Sequence, residues 1–103
     1  MKNKLLKAIN TFGVQEQSKH FSSEAHELTE AIQEYEMCLK YAPEEVVTSE
    51  WIRNLKNHIA EEISDCYNFL EQFRLYYGIP AEQIKDNMIY KMDRTDGIIN
   101  EML

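Results

Sequence analysis

The sequence contains few of the residues that turn or cross-link a chain. Its 103 residues include only three glycines, two prolines and two cysteines. The scarcity of glycine and proline leaves few places for tight turns, which favours long helices over a many-turned β fold. Cys38 and Cys66 do not form a CxxC pair, and two thiolates alone do not complete a tetrahedral zinc site. We therefore expect both cysteines to be reduced core residues.

Long apolar runs and clusters of basic residues are also missing. No apolar run approaches the ~20 residues that a membrane-spanning helix needs, and MKNKLLKAINTF lacks the apolar core and cleavage site of a signal peptide. The formal net charge is −7, which disfavours contact with the phosphates of nucleic acids and with anionic membranes. We expect a cytoplasmic protein that binds neither nucleic acid nor membrane.

The chain has the length of a single domain, residues 1–103, and 44% of its residues are hydrophobic. These hydrophobic residues recur with helical periodicity. The pattern predicts an all-α, four-helix-type bundle whose second and third helices are long. The predicted helices run from about Leu5 to Phe12, from about Gln15 to Tyr41, from a cap at Thr48 or Ser49 to about Tyr77, and from Pro80 or Ala81 to about Arg94, followed by a bend at Asp96-Gly97 and a last helical turn or two.

The second predicted helix carries two acids on its apolar side. On a helical wheel, apolar residues lie within about 60° of Glu24, and Glu27 falls on the same side beside Ala31, so both acids lie inside the apolar stripe. The third helix repeats this arrangement with Glu62 and Asp65. Residues three apart are neighbours on a helix surface, so each helix is predicted to point two adjacent carboxylates toward the interior.

Chance placement of acids is the competing explanation, because the chain has 18 acidic residues. However, buried like charges are costly unless protons or cations compensate them. All-oxygen ligands favour Mg²⁺, or Mn²⁺, over iron or zinc, and no histidine follows a glutamate by three residues, as in di-iron bundles. The four carboxylates Glu24, Glu27, Glu62 and Asp65 are therefore predicted to be metal ligands.

The fourth predicted helix places Asn87, Lys91 and Arg94 on one side, next to its apolar residues. Lysine and arginine bind phosphate oxygens, the first as a point charge and the second as a planar fork. The alternative is that these cations pair with surface acids or neutralise the carboxylates. Beside four carboxylates, the pattern suggests a polyphosphate bound between a metal ion and the two cations.

Together these motifs resemble the MazG-like, all-α nucleoside triphosphate pyrophosphohydrolases, especially the short phage-type members. That family carries E-E-x-x-E, then E-x-x-D, then N-x-x-x-K-x-x-R. The residues here that match these motifs are Glu24 and Glu27, then Glu62 and Asp65, then Asn87, Lys91 and Arg94. The resemblance extends from Phe12 to Arg94, and a lead-in similar to the family's FG-x-x-x-Q entry places Gln17 on the ligand-bearing face.

Two departures from the family pattern stand out. Ser23 occupies the position of the first glutamate of E-E-x-x-E, and the segment between Glu27 and Glu62 is longer than usual. The additional residues around YAPEEVVTSEW are expected to shape a substrate wall, where Trp51 either stacks on a base or belongs to the core.

The resemblance implies metal-dependent hydrolysis of a (deoxy)nucleoside triphosphate to the monophosphate and pyrophosphate, by a homodimer or homotetramer. The four carboxylates would be catalytic residues and metal ligands, and Asn87, Lys91, Arg94, Gln17 and Trp51 would bind substrate. Two alternatives stay open: a non-catalytic helical interaction or regulatory protein, and a phosphohydrolase of the same fold that acts on another nucleotide.

Overall fold

The computed structural model describes residues 1–103 and is helical almost throughout, without strands. It confirms the predicted all-α bundle. The helices are α1 (Lys2–Phe12), α2 (Val14–Tyr41), α3 (Ser49–Tyr76) and α4 (Ala81–Met102), and a 3₁₀ turn (Glu44–Val46) lies between α2 and α3. None of these helices has a stretch long and apolar enough to cross a bilayer.

The helix boundaries follow from local chemistry. Gly13 has a φ of 89°, a conformation that suits glycine, and separates α1 from α2. Thr48 caps α3, because its side-chain oxygen accepts a 3.1 Å hydrogen bond from the Trp51 backbone N–H. This confirms one of the two predicted caps.

The end of α3 is fixed by a Schellman motif at Gly78, whose φ is 66°. The Ile79 N–H donates to the Arg74 carbonyl at 3.0 Å, and the Gly78 N–H donates to the Leu75 carbonyl at 3.2 Å. The Arg74 guanidinium also donates to the Ile79 carbonyl at 2.9 Å and pairs with Glu71. These bonds fix the start of the turn that leads into α4.

The predicted bend at Asp96-Gly97 is wrong, because α4 continues without interruption to Met102. A single glycine inside a helix costs only about 1 kcal/mol relative to alanine, and Gly97 lies within α4 without a positive φ. The flanking residues therefore maintain the helix through this position.

The core lies among the first three helices. Helices α2 and α3 pack along each other, and α1 covers one end of the pair, chiefly against α3. Ile9 is fully buried, and the other buried apolar residues are Leu5, Ala31, Leu55 and Cys66. The Phe21 and Phe73 rings pack edge to face with centroids 5.9 Å apart. Cys66 is thus a core residue as predicted, whereas Cys38 is only partly buried.

Candidate functional site: a carboxylate cluster between two helices

Three acidic side chains from the two long helices converge at one site. Glu24 comes from α2, and Glu62 and Asp65 come from α3. Each offers a carboxylate oxygen, and these ligand atoms all lie within 4.8 Å of one another. The packing of α2 against α3 therefore brings together residues that are separated by almost forty positions in the sequence.

Two of these carboxylates have an oxygen that is buried and unsatisfied. Glu24 is partly buried, and the Glu62 side chain is only 12% exposed. Glu24 Oε2 and Glu62 Oε2 are both shielded from solvent without any hydrogen-bond partner. A buried polar atom without a partner carries a desolvation penalty. A proton or a cation placed between these oxygens would relieve it.

The electrostatics of the cluster favour such a compensating charge. Burial raises the pKa of Glu24 from 4.5 to about 7, and the negative charges of Glu27, Asp65 and Glu62, together with a hydrogen bond that protonated Glu24 donates to Glu27, contribute to the shift. Glu24 therefore keeps its proton to a higher pH than an ordinary glutamate does. Burial of the Cys66 thiol and the negative charges of Glu24, Glu62 and Asp65 raise its pKa, so this core cysteine lies within the field of the cluster.

The second acid of each predicted pair lies nearer to solvent than the sequence indicated. Glu27 and Asp65 are both exposed, so the prediction that all four carboxylates point into the interior is wrong for these two. Each follows its partner by three residues, which places it about 60° around the helix from that partner and further from the centre of the apolar face. Glu27 and Asp65 thus form an open rim beside the more deeply placed Glu24 and Glu62.

His58 is a neighbour of the cluster that the acid pattern did not identify as part of it. Its Nε2 lies 3.4 Å from Glu62 Oε1, and its Nδ1 lies 4.0 Å from Glu34 Oε2. His58 precedes Glu62 by one helical turn, a spacing that makes side chains neighbours. The four-residue spacing from Glu62 is the sequence feature that could have identified His58. Because the imidazole also lies near Glu34, this residue of α2 lies close to the site.

An apolar groove begins beside the cluster and leads to α4. Cys66 of α3 lines the groove, as do Ile84 and Met88 of α4. The cavity has a volume of about 610 Å³, and ten of its twelve lining residues are hydrophobic. The groove therefore connects the neighbourhood of the carboxylates with the first half of α4.

The predicted phosphate-binding residues are not joined to the carboxylates within one chain. Asn87, Lys91 and Arg94 are all exposed on α4, and neither cation forms an ion pair. The nearest side-chain hydrogen bond is local, from the Thr95 hydroxyl to the Lys91 carbonyl at 2.9 Å. Their role in binding phosphate stays a prediction.

The other two predicted substrate residues lie at opposite ends of the α2–α3 pair. Gln17 is buried, and its Nε2 donates a 2.9 Å hydrogen bond to Gln72 Oε1. Trp51 is partly buried in the first turn of α3, about 16 Å along the helix axis from Glu62 at 1.5 Å per residue. Both assignments to the substrate site stay predictions.

The chemistry of the donor set suits a hard divalent cation. Every ligand atom is a carboxylate oxygen, which Mg²⁺ and Mn²⁺ accept. The two unsatisfied buried oxygens supply the negative charge that such an ion needs. The open rim leaves room for water and for a ligand with oxygen donors of its own.

Comparisons with known proteins do not identify a family or a function for this site. Comparison of the chain with models of protein families, with curated proteins and with solved structures finds no match in any of the three. The resemblance to the MazG-like family therefore depends on the quoted motifs, and three of their carboxylates meet in the structure.

Proposed function

We propose that this chain is a divalent-metal-dependent hydrolase that converts a (deoxy)nucleoside triphosphate to the monophosphate and pyrophosphate. The observation that supports this most directly is the convergence of Glu24, Glu62 and Asp65, with buried oxygens on the two glutamates that have no partner. Such a site favours a cation, and the MazG-like motif connects the same residues with polyphosphate hydrolysis.

The residues of the chain have separable roles in this proposal. Glu24, Glu62 and Asp65 would hold Mg²⁺ or Mn²⁺, and Glu27 at the rim would be either a fourth ligand or a free carboxylate. A divalent ion bound there neutralises charge on the phosphate oxygens and lowers the pKa of water. Any one of the four carboxylates that is not bound to the ion would accept a proton from the attacking water, as a general base.

The proposed reaction cleaves the bond between the α and β phosphates. The water oxygen forms a bond to the α phosphorus, the bond between the α phosphorus and the bridging oxygen breaks, and pyrophosphate leaves with that oxygen and the electron pair. Lys91 and Arg94 bind the negative charge of the pyrophosphate, and Asn87 supplies a neutral amide beside them. Positively charged donors stabilise such a leaving group by charge-assisted hydrogen bonds.

Location, oligomeric state and ligand are inferred together with the activity. We infer that it is a cytoplasmic homodimer or homotetramer whose ligand is the nucleotide. The fold would then be that of the all-α nucleoside triphosphate pyrophosphatases.

The decisive experiment is a screen of the common nucleoside and deoxynucleoside triphosphates with Mg²⁺ or Mn²⁺, in which pyrophosphate release is measured. We expect release from at least one nucleotide, dependent on metal and lost in Glu62→Gln. Release of orthophosphate or of another product would indicate a phosphohydrolase of different specificity. No turnover of any nucleotide, together with no metal-dependent stabilisation, would favour a non-catalytic helical interaction protein.

A further inference from the structure

The single chain exposes far more surface than a folded monomer of its size. Its accessible area is 8310 Å², whereas a compact monomer of 12.2 kDa is expected to expose about 6,100 Å². The radius of gyration is 17.9 Å, against about 13 Å for a compact domain of this length. The exposed area of this chain is thus about 2,200 Å² larger than that of a compact monomer of the same mass.

Helix α4 accounts for much of this surface. Every residue of the segment 81–103 is exposed, and α4 makes little contact with the other helices. One side of α4 nevertheless carries a nearly continuous apolar stripe, within an arc of about 80° on the helical wheel. We call this the α4 stripe, and its residues are Ile84, Met88, Met92, Thr95, Ile99 and Met102.

The first two residues of the α4 stripe line the apolar groove against α3. The stripe then continues beyond the groove, where Met92, Ile99 and Met102 are 63%, 47% and 79% exposed. A helix in a protein is stabilised chiefly by packing of its apolar face rather than by intrinsic propensity. The stripe extends over five turns and stays exposed even where it lines the groove, with Ile84 at 39% and Met88 at 61%, and it therefore lacks a partner surface.

We propose that a second copy of this chain packs on the α4 stripe and the adjoining groove. The size of the excess exposed area is the argument for a second copy as the partner. Obligate homodimers bury about 2,000–5,000 Å² in total, or roughly 1,000–2,500 Å² on each partner, and the excess of about 2,200 Å² per chain falls within that range. A face this large needs permanent cover, and an identical chain is present wherever this one is made. This assignment specifies the surface of the proposed homo-oligomer and does not depend on hydrolysis.

Two isoleucines on α4 provide a matched test. Ile99 lies on the stripe, and Ile89 lies about 100° from its centre, yet the two are similarly exposed at 47% and 51%. Ile99→Glu buries a carboxylate if the stripe is an interface, whereas Ile89→Glu adds the same charge outside it. We expect light scattering at micromolar concentration to give a multiple of 12.2 kDa for the wild type and for Ile89→Glu, and a shift toward monomer for Ile99→Glu.

Met102→Glu guards against the possibility that Ile99→Glu fails to fold. This substitution alters the last turn of α4, so any loss of packing there leaves the core of α1–α3 unchanged. It is expected to raise the dissociation constant of the homo-oligomer at least tenfold. Circular dichroism confirms helicity, and the melting temperature of the wild type is expected to rise with protein concentration.

Three outcomes would overturn the assignment. A monomeric wild type with concentration-independent melting would exclude a second copy altogether. Unchanged association of Ile99→Glu and Met102→Glu would place the interface elsewhere. Equal dissociation by Ile89→Glu and Ile99→Glu would show that charge on α4, rather than the stripe, weakens association. Metal-dependent melting and pyrophosphate release, measured on the same samples, test the proposed function separately.

Discussion

Glu24 of α2 and Glu62 of α3 have facing carboxylates, each with a buried oxygen that has no hydrogen-bond partner. Neither helix alone creates this arrangement, because a single helix would leave its acid at the edge of an apolar face open to solvent. The packing of α2 on α3 buries both. The proton or cation that compensates these two buried oxygens is the feature of the site that experiments can detect.

The first prediction is that Mg²⁺ or Mn²⁺ stabilises the protein. An ion that binds only the native state raises the free energy of unfolding by about 2.7 kcal/mol at a hundredfold excess over its dissociation constant. Glu24→Gln is expected to abolish most of that gain and to leave a folded protein. Thermal melting with and without the metal measures the difference.

Glu30→Gln is the matched control for this experiment. Glu30 is also on α2, but it is exposed on another side of the helix and pairs with His26. Its substitution is expected to leave the metal-dependent shift in melting temperature unchanged. Equal loss of the shift in Glu24→Gln and Glu30→Gln would indicate non-specific attraction of cations by the acidic surface.

The second prediction concerns pH. Since the pKa of Glu24 rises from 4.5 to about 7 on folding, the folded state binds more protons than the unfolded state across this interval. Without metal, the contribution of Glu24 to stability is therefore present below about pH 4.5 and is lost as the pH rises through about 7. We expect Glu24→Gln, which mimics the protonated form, to be more stable than the wild type at pH 8 in chelator.

Metal binding reverses this trend, because a carboxylate must lose its proton to bind a cation. The metal-dependent rise in melting temperature of the wild type is expected to grow between pH 6 and pH 8. A rise that is independent of pH over this range would mean that Glu24 is not a ligand. The comparison needs only melting curves at several pH values, each with metal and with chelator.

Much of the fold follows from local sequence signals. Thr48, Gly13 and Gly78 mark helix boundaries because a hydroxyl cap and positive φ angles leave few alternatives at those positions. The bend assigned to Asp96-Gly97 failed because the penalty of one glycine is small compared with the helical preference of its neighbours. Local propensity alone did not decide that position.

The site was predictable to the extent that it depends on helical periodicity. The apolar faces of α2 and α3 identified Glu24 and Glu62, and their packing follows from burying those faces together. The exposure of Glu27 and Asp65 depends instead on how far each lies from the line of contact between the helices. The separation of Lys91 and Arg94 from the cluster depends on the placement of α4, which no periodicity within a helix determines.

The third prediction tests the buried amide pair of Gln17 and Gln72. Gln17→Met removes the donor and leaves Gln72 Oε1 buried without its partner, a penalty of about 1–3 kcal/mol in the free energy of unfolding that removal of the unpartnered Gln17 Oε1 offsets in part. The double variant Gln17→Met/Gln72→Met replaces both amides with apolar groups of similar size and is expected to recover most of that loss. Urea denaturation with an unchanged m-value measures both effects.

The same double variant also tests Gln17 as a substrate residue. Once stability is restored, a purely structural glutamine pair leaves pyrophosphate release close to that of the wild type. A substrate contact would instead be lost, and kcat/KM would fall although the protein is stable. Recovery of stability without recovery of activity would thus support the assignment of Gln17 to the substrate site.

The last prediction separates phosphate binding from metal binding. Lys91→Ala or Arg94→Ala removes a charge-assisted contact worth about 1.5–3 kcal/mol, so kcat/KM for pyrophosphate release is expected to fall by roughly ten- to a hundredfold. The metal-dependent melting shift is expected to survive, because neither cation pairs with the carboxylate cluster. Lys85→Ala is the matched control, since Lys85 is on α4 about 120° from Lys91, and it is expected to leave both quantities unchanged. If Lys91 and Arg94 only balanced surface charge, their variants would behave like Lys85→Ala, and the phosphate-binding role would be wrong while the metal site still stood.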